Sequence, residues 1–292
     1  MSSATLERIE MQPPPQLPPA RKRSAFAKLW LWMRNHLIQF LAGLALVFMF
    51  LPVSIVLIFS FNEPVGRFNY TWQEFSPDAW IDVWQDEQIV DPVILSLTIG
   101  FIAALVATIL GTLIAFAIGR HRFKGRGATN LLIFMPMATP EVVMGASLLA
   151  LFINMGLDGS LGVLTITIAH IMFCISFVVV TVKARIAGLD SRLEQSAMDL
   201  YADERTTFRK VTFPLVLPGI VAGALLAFSL SFDDFIITNF TAGSTITFPV
   251  YVWGAAGKGI PPEANVIGSA MFLVALAIVL APEVTRRRSK TA

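Results

Sequence analysis

The sequence carries little charge and almost no cysteine. Only 14% of its 292 residues are Asp, Glu, Lys or Arg, whereas about 25% is usual for a soluble domain. The single cysteine, Cys174, excludes a disulfide framework and a thiolate metal site. The chain also lacks the motifs HExxH, GxSxG, GxxxxGK[ST] and TVGYG, and it has no regular ladder of arginines. We therefore expect no catalytic site, no metal, no cofactor and no hydrolysis of ATP by this chain itself.

Hydrophobic residues make up 55% of the chain and are concentrated in long blocks. A bilayer core about 30 Å thick requires about 20 apolar helical residues to cross it. Six blocks meet this length, and four of them contain no Asp, Glu, Lys or Arg. They cover approximately residues 37–61, 93–119, 131–153, 161–182, 214–238 and 264–281. The sequence therefore predicts an all-α membrane protein with six transmembrane helices, and it excludes a soluble enzyme domain, a disordered chain and a single-anchor protein.

The basic residues lie almost entirely on one side of the predicted spans. Of the 22 Lys and Arg residues, 20 lie in the segments 1–36, 120–130, 183–213 and 282–292. The loops on the other side carry only Arg67 and Lys258. Because positive charge is retained on the cytoplasmic side of a membrane, we expect both termini to be cytoplasmic.

The two ends of the chain are expected to extend from a six-helix domain, 37–281. Segment 1–36 contains five prolines between Gln12 and Pro19, which favour extended, solvated chain, so we expect it to be largely disordered. Segment 282–292 is expected to form a basic cytoplasmic tail. The run Arg21-Lys22-Arg23 is interpreted as a topology anchor and not as a nucleic-acid site.

Three acidic residues lie inside the predicted spans, namely Glu141, Asp233 and Asp234. A charged residue at the bilayer centre costs about 2.5–3.5 kcal/mol, and no span contains a Lys or Arg to pair with it. These acids are therefore protonated, hydrogen-bonded to helix neighbours, or exposed to a polar path for a positively charged solute. Pro136 and Pro140 are expected to break the helix beside Glu141, which is tolerated only against protein or a water-filled cavity. We favour a cation path over the alternative, in which Asp233 caps a broken helix and Glu141 is a neutral core residue.

The cytoplasmic segment 183–213 is predicted to form two short helices. Ser191 and Glu194 have the spacing of a capping box, and Leu193, Ala197 and Leu200 follow at i, i+4 and i+7 as an apolar stripe. A break is predicted around 201–203, before a second helix that leads to span five. An exposed amphipathic pair of helices fits a groove on a soluble partner, and the alternative is a helix lying on the lipid surface.

The same segment resembles the coupling loop of binding-protein-dependent ABC importer permeases. The resemblance rests on Leu193–Ala202 (LEQSAMDLYA) and Phe208–Ile220 (FRKVTFPLVLPGI), and flanking segments such as 140–145 (PEVVMG) and 222–235 are similar to the spermidine/putrescine branch. It implies that the ATPase-coupling residues are Glu194, Gln195, Ser196, Ala197, Asp199, Leu200, Tyr201 and Ala202.

Three residues of this loop depart from the family pattern. Gln195, Ser196 and Tyr201 stand where the family has Glu, Ala and Gly. Glycine permits a positive-φ break between the two helices, whereas tyrosine adopts that conformation only with strain. We therefore expect the bend either at Asp203 or by a different backbone route.

The resemblance implies a transport mechanism. Such a permease sits in the lipid bilayer of the bacterial inner membrane with a second permease subunit, two copies of a cytoplasmic ATP-binding subunit and an extracytoplasmic solute-binding protein. Closure of the ATPases pushes on the coupling helices, and this chain would form half of the transmembrane path for polyamines. Three alternatives stay open: an ABC importer permease for another organic cation, a sugar, iron or an anion; a secondary transporter; and a channel.

Overall fold

The computed structural model describes residues 25–66, 69–121, 123–257 and 259–290, and these are almost entirely helical. The chain divides into two compact units, one ending at Ile55 and the other beginning at Val56. The α-helices are α1 (Ala25–Phe59), α2 (Asp78–Asp82), α3 (Glu87–Arg120), α4 (Arg126–Ala138), α5 (Glu141–Asn154), α6 (Val163–Ala187), α7 (Arg192–Asp199), α8 (Glu204–Thr207), α9 (Phe213–Phe232), α10 (Ile236–Thr241), α11 (Phe248–Ala256) and α12 (Pro262–Lys290). A π-helical turn, Phe208–Thr212, joins α8 to α9, and a two-stranded antiparallel hairpin pairs β1 (Asn62–Glu63) with β2 (Glu74–Phe75).

Four helices of the described residues are long and apolar enough to cross a membrane. They are His36–Phe59 within α1, α3, α6 and the continuous stretch Glu204–Phe232. Helices α4 and α5 supply a fifth span if the pair, which is bent by 106°, is counted as one. The apolar part of α12, Pro262–Ile278, is shorter. The all-α architecture is confirmed, whereas six complete crossings and the cytoplasmic position of the termini stay predictions.

The terminal helices extend beyond the predicted spans. Helix α1 begins at Ala25, inside the segment 1–36 that was expected to be largely disordered, and residues 1–24 of that segment lie outside the described residues. Helix α12 continues to Lys290 through most of the predicted basic tail, of which 291 and 292 lie outside the described residues. The extension of α1 (25–36) contains Ala, Leu, Lys and Arg, and that of α12 (282–290) contains three Arg and one Lys. These residues are strong helix formers, and adding residues to an existing helix forms one hydrogen bond each.

The core of the second unit lies between α3, α6 and α9. Its fully buried side chains include Val178, Val179 and Val182 of α6. Helix α9 approaches α6 closely at Gly219 and Gly223, where added Cβ atoms would lie 2.6 Å from Arg185 Cβ and 3.5 Å from Val178 Cγ1. This GxxxG spacing therefore serves close helix packing, as such spacings do in membranes.

The predicted third span is broken at a single proline. Thr139 adopts an extended conformation (φ −81°, ψ 132°), because the ring of the following Pro140 disfavours helical backbone in the preceding residue. Helix α4 ends there and α5 begins at Glu141. Pro136 lies inside α4 without ending it, so the expectation that both prolines break the helix is wrong for Pro136.

The predicted fifth span is also interrupted. Helix α9 ends at Phe232, and the short α10 begins at Ile236. The expected block 214–238 is therefore not one continuous helix, and Asp233 and Asp234 lie in the gap between two helices.

Candidate functional site

A cavity of about 660 Å³ brings the three acids of the predicted path together. Glu141, Asp233 and Asp234 line it with side chains from α6, α9, α10 and α11. Its aromatic lining consists of Phe173, Phe232, Phe235, Phe248 and Trp253. Carboxylates attract cations directly, and the faces of aromatic rings attract them through the ring quadrupole. The cavity thus combines two kinds of group that recognise positive charge.

Glu141 is placed in this cavity by the break at Pro140 and by close packing of α5. It is the first residue of α5, and the N-terminus of a helix stabilises a negative charge. One turn further, α5 contacts α10 at Gly145, where an added Cβ would lie only 2.7 Å from the ring of Phe240. The close approach of these two helices brings Glu141 to the cavity that Asp233 also lines.

Asp233 is held at the end of α9 and exposes its side chain. Its backbone N–H donates to the Ser229 carbonyl at 3.2 Å, and its carboxylate is exposed, as is that of Glu141. Among the described residues, no lysine, arginine or histidine forms an ion pair with either carboxylate. Beside them the ring of Phe235 stacks on Trp253 at 4.9 Å. Two carboxylates therefore face the cavity without an internal counter-ion.

Asp234 also lines the cavity but is buried, with 8% of its surface exposed. Its Oδ2 accepts hydrogen bonds from the backbone N–H and the hydroxyl of Thr238, at 2.8 and 3.0 Å, and its Oδ1 accepts from the Ile237 N–H at 3.4 Å. These contacts cap α10. Asp233 occupies the C-cap of α9 through its backbone N–H, which agrees with the alternative expectation that it caps a broken helix, whereas the side-chain cap at the start of α10 is Asp234.

His170 is the buried partner of Asp234 that sequence reasoning missed. Its Nε2 lies 2.9 Å from Thr238 Oγ1 and 3.3 Å from Asp234 Oδ2, and its Nδ1 lies 2.7 Å from Ser231 Oγ. Since the Thr238 hydroxyl donates to Asp234, its oxygen accepts from the Nε2–H of His170. This network connects α6, α9 and α10. A lone histidine in an apolar span is a signal in the sequence that it has an acidic partner within the membrane.

The coupling segment bends at Tyr201. The backbone of Tyr201 has a φ of 64°, the left-handed conformation that favours glycine. The Ala202 N–H bonds the Ala197 carbonyl at 3.1 Å, and the Tyr201 N–H bonds the Met198 carbonyl at 2.9 Å, which together form a Schellman motif. The expectation of a bend at Asp203 or by a different backbone route is wrong, because Tyr201 itself adopts the conformation that glycine favours. Asp203 instead caps α8, accepting from the Thr206 N–H at 3.0 Å.

Glu194 is tied to the membrane helices. The two terminal nitrogens of the Arg120 guanidinium, at the end of α3, donate to its two oxygens at 2.6 Å. Thr212 of the π-helical turn also donates to it. These contacts, chiefly the Arg120 hydrogen bond, hold the pKa of Glu194 below its usual range.

The expected capping box is wrong. The Ser191 side chain makes no cap hydrogen bond, and Glu194 is committed to Arg120. The start of α7 is stabilised by Asp190, whose Oδ1 accepts from the Arg192 N–H at 2.9 Å. Asp190, one position earlier, therefore provides the N-terminal cap that the S-x-x-E spacing predicted for Ser191.

The other predicted coupling residues face outward. No residue of α7 is buried. Ala197 and Ala202 are half-buried, and the remaining members are exposed: Gln195, Ser196, Asp199, Leu200 and Tyr201. Leu200 and Tyr201 are 82% and 99% exposed. Large apolar and aromatic side chains exposed in this way at the end of a helix form a surface that a protein partner can cover.

Residues 107–284 match the family described as "Binding-protein-dependent transport system inner membrane component". The match covers the cavity acids, the His170 network and the coupling segment. The chain belongs to this family. It is therefore an ABC transporter permease, a transport subunit of a multi-pass membrane family and not an enzyme.

Curated relatives align with most of the permease. It is 36% identical over 243 residues to the spermidine/putrescine transport system permease protein PotC of Haemophilus influenzae. This alignment covers 83% of this chain and 93% of the relative. It is 34% identical to PotC of Escherichia coli K12 (82% and 90% covered) and 36% identical to the putrescine transport system permease protein PotI of the same strain (81% and 85% covered).

Solved structures share the fold of the permease. A bacterial ABC transporter involved in the import of the acidic polysaccharide alginate has a TM-score of 0.61 at 17% identity, covering 89% of this chain and 99% of that chain. The alginate ABC transporter in complex with an alginate pentasaccharide-bound periplasmic protein gives a TM-score of 0.58 at 19% identity, covering 89% and 98%. At these identities the likeness establishes the fold alone.

Proposed function

We propose that this permease forms half of the transmembrane path for polyamines in an ATP-driven importer of the bacterial inner membrane. The observation that carries the proposal is the pair of exposed carboxylates, Glu141 and Asp233, in an aromatic cavity where neither has an internal cation. A polyamine carries several ammonium groups and would supply the missing counter-ions. The relatives that transport spermidine and putrescine support the same substrate class.

The expected contribution of each carboxylate is modest. Two unit charges 4 Å apart attract each other by about 4 kcal/mol at an effective dielectric constant near 20. Desolvation of both groups offsets much of this attraction, which leaves a net contribution of about 1–2 kcal/mol per site. This corresponds to roughly five- to thirty-fold in apparent affinity or rate. The faces of Trp253 and Phe235 add a smaller attraction of about 0.5–2 kcal/mol for an ammonium group placed over them.

Asp234 has a different role in this proposal. Its oxygens are occupied by Thr238 and Ile237, and His170 lies beside it. Asp234 would therefore hold α10 and the gap that carries Asp233, while Glu141 and Asp233 contact the solute. Of the three acids that the sequence predicted to line the path, only Glu141 and Asp233 would then contact the solute.

The partners are proposed from the exposed coupling surface and from the family. We infer a second permease subunit, two copies of a cytoplasmic ATP-binding subunit that cover α7, and an extracytoplasmic solute-binding protein. Leu200 and Tyr201 would lie in a groove of the ATPase, and Glu194 would transmit its movement to α3 through Arg120. In support of the last partner, the alginate transporter of the same fold is seen in complex with a periplasmic protein.

Uptake of radiolabelled polyamines in a strain lacking its own polyamine importers tests the substrate. Glu141→Gln and Asp233→Asn should each reduce uptake about five- to thirty-fold at equal membrane levels. Asp158→Asn is the matched control, since Asp158 is an exposed acid that does not line the cavity. Wild-type uptake in both cavity variants would contradict the proposed role of these acids. Absence of polyamine uptake by the wild-type importer, with transport of another organic cation, a sugar, iron or an anion, would support the alternative importer.

The proposed topology has six spans, with α12 as the sixth and both termini in the cytoplasm. Cys174 is the only cysteine and is buried, so single cysteines can be introduced in a Cys174→Ala background. Cysteines at Lys124 and Arg205 should react with an impermeant thiol reagent only after the membrane is opened, and one at Asp158 should react in intact spheroplasts. Labelling at 205 from the outside would overturn the orientation.

A further inference from the structure

A second cavity, of about 250 Å³, lies at the ends of α3, α4 and α6 that are proposed to face the cytoplasm. It is lined by cationic side chains from all three helices, Arg120, Arg126 and Lys183, together with Ser191 before α7. None of the described residues lining it is acidic. Three like charges around one small cavity repel one another unless an anion is present.

The internal partners of these cations leave positive charge uncompensated. Arg120 is paired with Glu194. The Lys183 ammonium donates to the amide oxygen of Asn130 at 2.7 Å, a neutral group that leaves its charge intact. Arg126 forms no ion pair with any of the described acidic residues. The cavity therefore carries about two unbalanced positive charges, which an anion from outside the chain would neutralise.

The surroundings of the cavity favour a lipid as the source of that anion. Arg126 is the first residue of α4, and Leu131 and Leu132, which follow about 8 Å further along the helix axis, are 66% and 62% exposed. Phe123, before the helix, is 43% exposed. Cationic groups with exposed apolar side chains a short distance deeper match a phosphate headgroup and its acyl chains, and basic pockets between transmembrane helices on the cytoplasmic side bind anionic headgroups.

We propose that this cavity binds the phosphate group of an anionic phospholipid of the inner leaflet through Arg126 and Lys183, beside the paired Arg120. The inference rests on the proposed orientation of the chain and is independent of the transported solute. Because Arg120 also holds Glu194 of α7, the headgroup would lie at the junction between the membrane helices and the coupling helix.

Native mass spectrometry of the purified importer, titrated with phosphatidylglycerol or phosphatidylcholine, tests the site. Wild-type protein should retain phosphatidylglycerol preferentially. Arg126→Gln and Lys183→Gln should each weaken its binding about fivefold, the value for one basic residue near an anionic surface. The charge-conserving Arg126→Lys should retain most of the binding. Lys124→Gln is the matched control, because Lys124 lies in the same basic loop, is exposed and does not line the cavity.

Three results would overturn the inference. The first is unchanged phosphatidylglycerol binding by the Arg126→Gln/Lys183→Gln double variant. The second is an equal loss in Lys124→Gln, which would show that general surface charge retains the lipid. The third is displacement of the lipid by millimolar glycerol phosphate or inorganic phosphate, which would identify a soluble phosphate as the ligand. Binding is measured without transport, so a failure here is distinguishable from a failure of the polyamine assignment.

Discussion

Replacement of Asp234 by asparagine should destabilise the permease, whereas the same replacement at Asp233 should impair transport alone. In Asp234→Asn the single carbonyl oxygen can accept from Thr238, but the amide group then faces the Ile237 N–H, which is also a donor. A hydrogen bond to a charged group contributes about 1.5–3 kcal/mol, and a buried donor left without an acceptor costs about 1–3 kcal/mol. Since the amide keeps one acceptor, we expect a loss of about 2–4 kcal/mol.

The Asp233 carboxylate is exposed and has no such network. Its replacement should change stability by less than about 0.5 kcal/mol, as is usual for surface positions. For a chain of this size 1 kcal/mol shifts Tm by about 2–4 °C. The Tm of Asp234→Asn should therefore lie roughly 5–15 °C below that of Asp233→Asn.

The assay combines thermal unfolding of the purified permease in detergent with uptake at matched membrane levels. Asp234→Asn should lower Tm, and Asp233→Asn should lower uptake with an unchanged Tm. His170→Leu should resemble Asp234→Asn, and the double variant should lose less than the sum of the two because both act on one network. An unchanged Tm in Asp234→Asn, or additive losses in the double variant, would refute the buried pair as the support of α10.

The coupling segment provides further predictions. Tyr201→Gly should raise the Tm slightly, since the left-handed conformation of a non-glycine residue costs about 1–2 kcal/mol, whereas Tyr201→Val should lower it, because a β-branched residue is a strong outlier at positive φ; an equal Tm in the two variants would contradict this. Ala197→Asp should abolish co-purification with the ATPase and uptake but leave membrane insertion intact, and retention of both would exclude α7 as the docking helix. Because Arg120 lowers the pKa of Glu194, the stability contributed by this pair is complete above the unfolded value of about 4.3 and is lost as pH falls through the lower folded value. Wild-type protein should therefore show no change in Tm from this pair between pH 6 and 8, and Glu194→Gln should lower Tm by the same amount throughout that range.

The sequence alone was sufficient to predict the helical membrane architecture and to single out the three acids that line the cavity. An apolar block of transmembrane length in lipid must form all its backbone hydrogen bonds internally, which an α-helix does. Helices α3 and α6 are therefore predictable from their composition. Glu141 and Asp233 could be identified because an ionisable residue in such a block is costly and therefore informative. The coupling helix α7 was predictable from its apolar periodicity and its resemblance to a known loop.

The tertiary structure decided which aspartate is buried in a hydrogen-bond network and which is exposed in the cavity. Asp233 and Asp234 are adjacent in an apolar block, and no local pattern distinguishes them. The distinction depends on His170, 64 positions earlier in the chain, whose ring meets Asp234 only because α6 and α10 pack together. In the same way Glu194 has the spacing of a cap, yet Arg120 of α3 holds its carboxylate. Local sequence specifies helices through short-range hydrogen bonding, whereas the partner of a buried charge is determined by which distant helices come into contact.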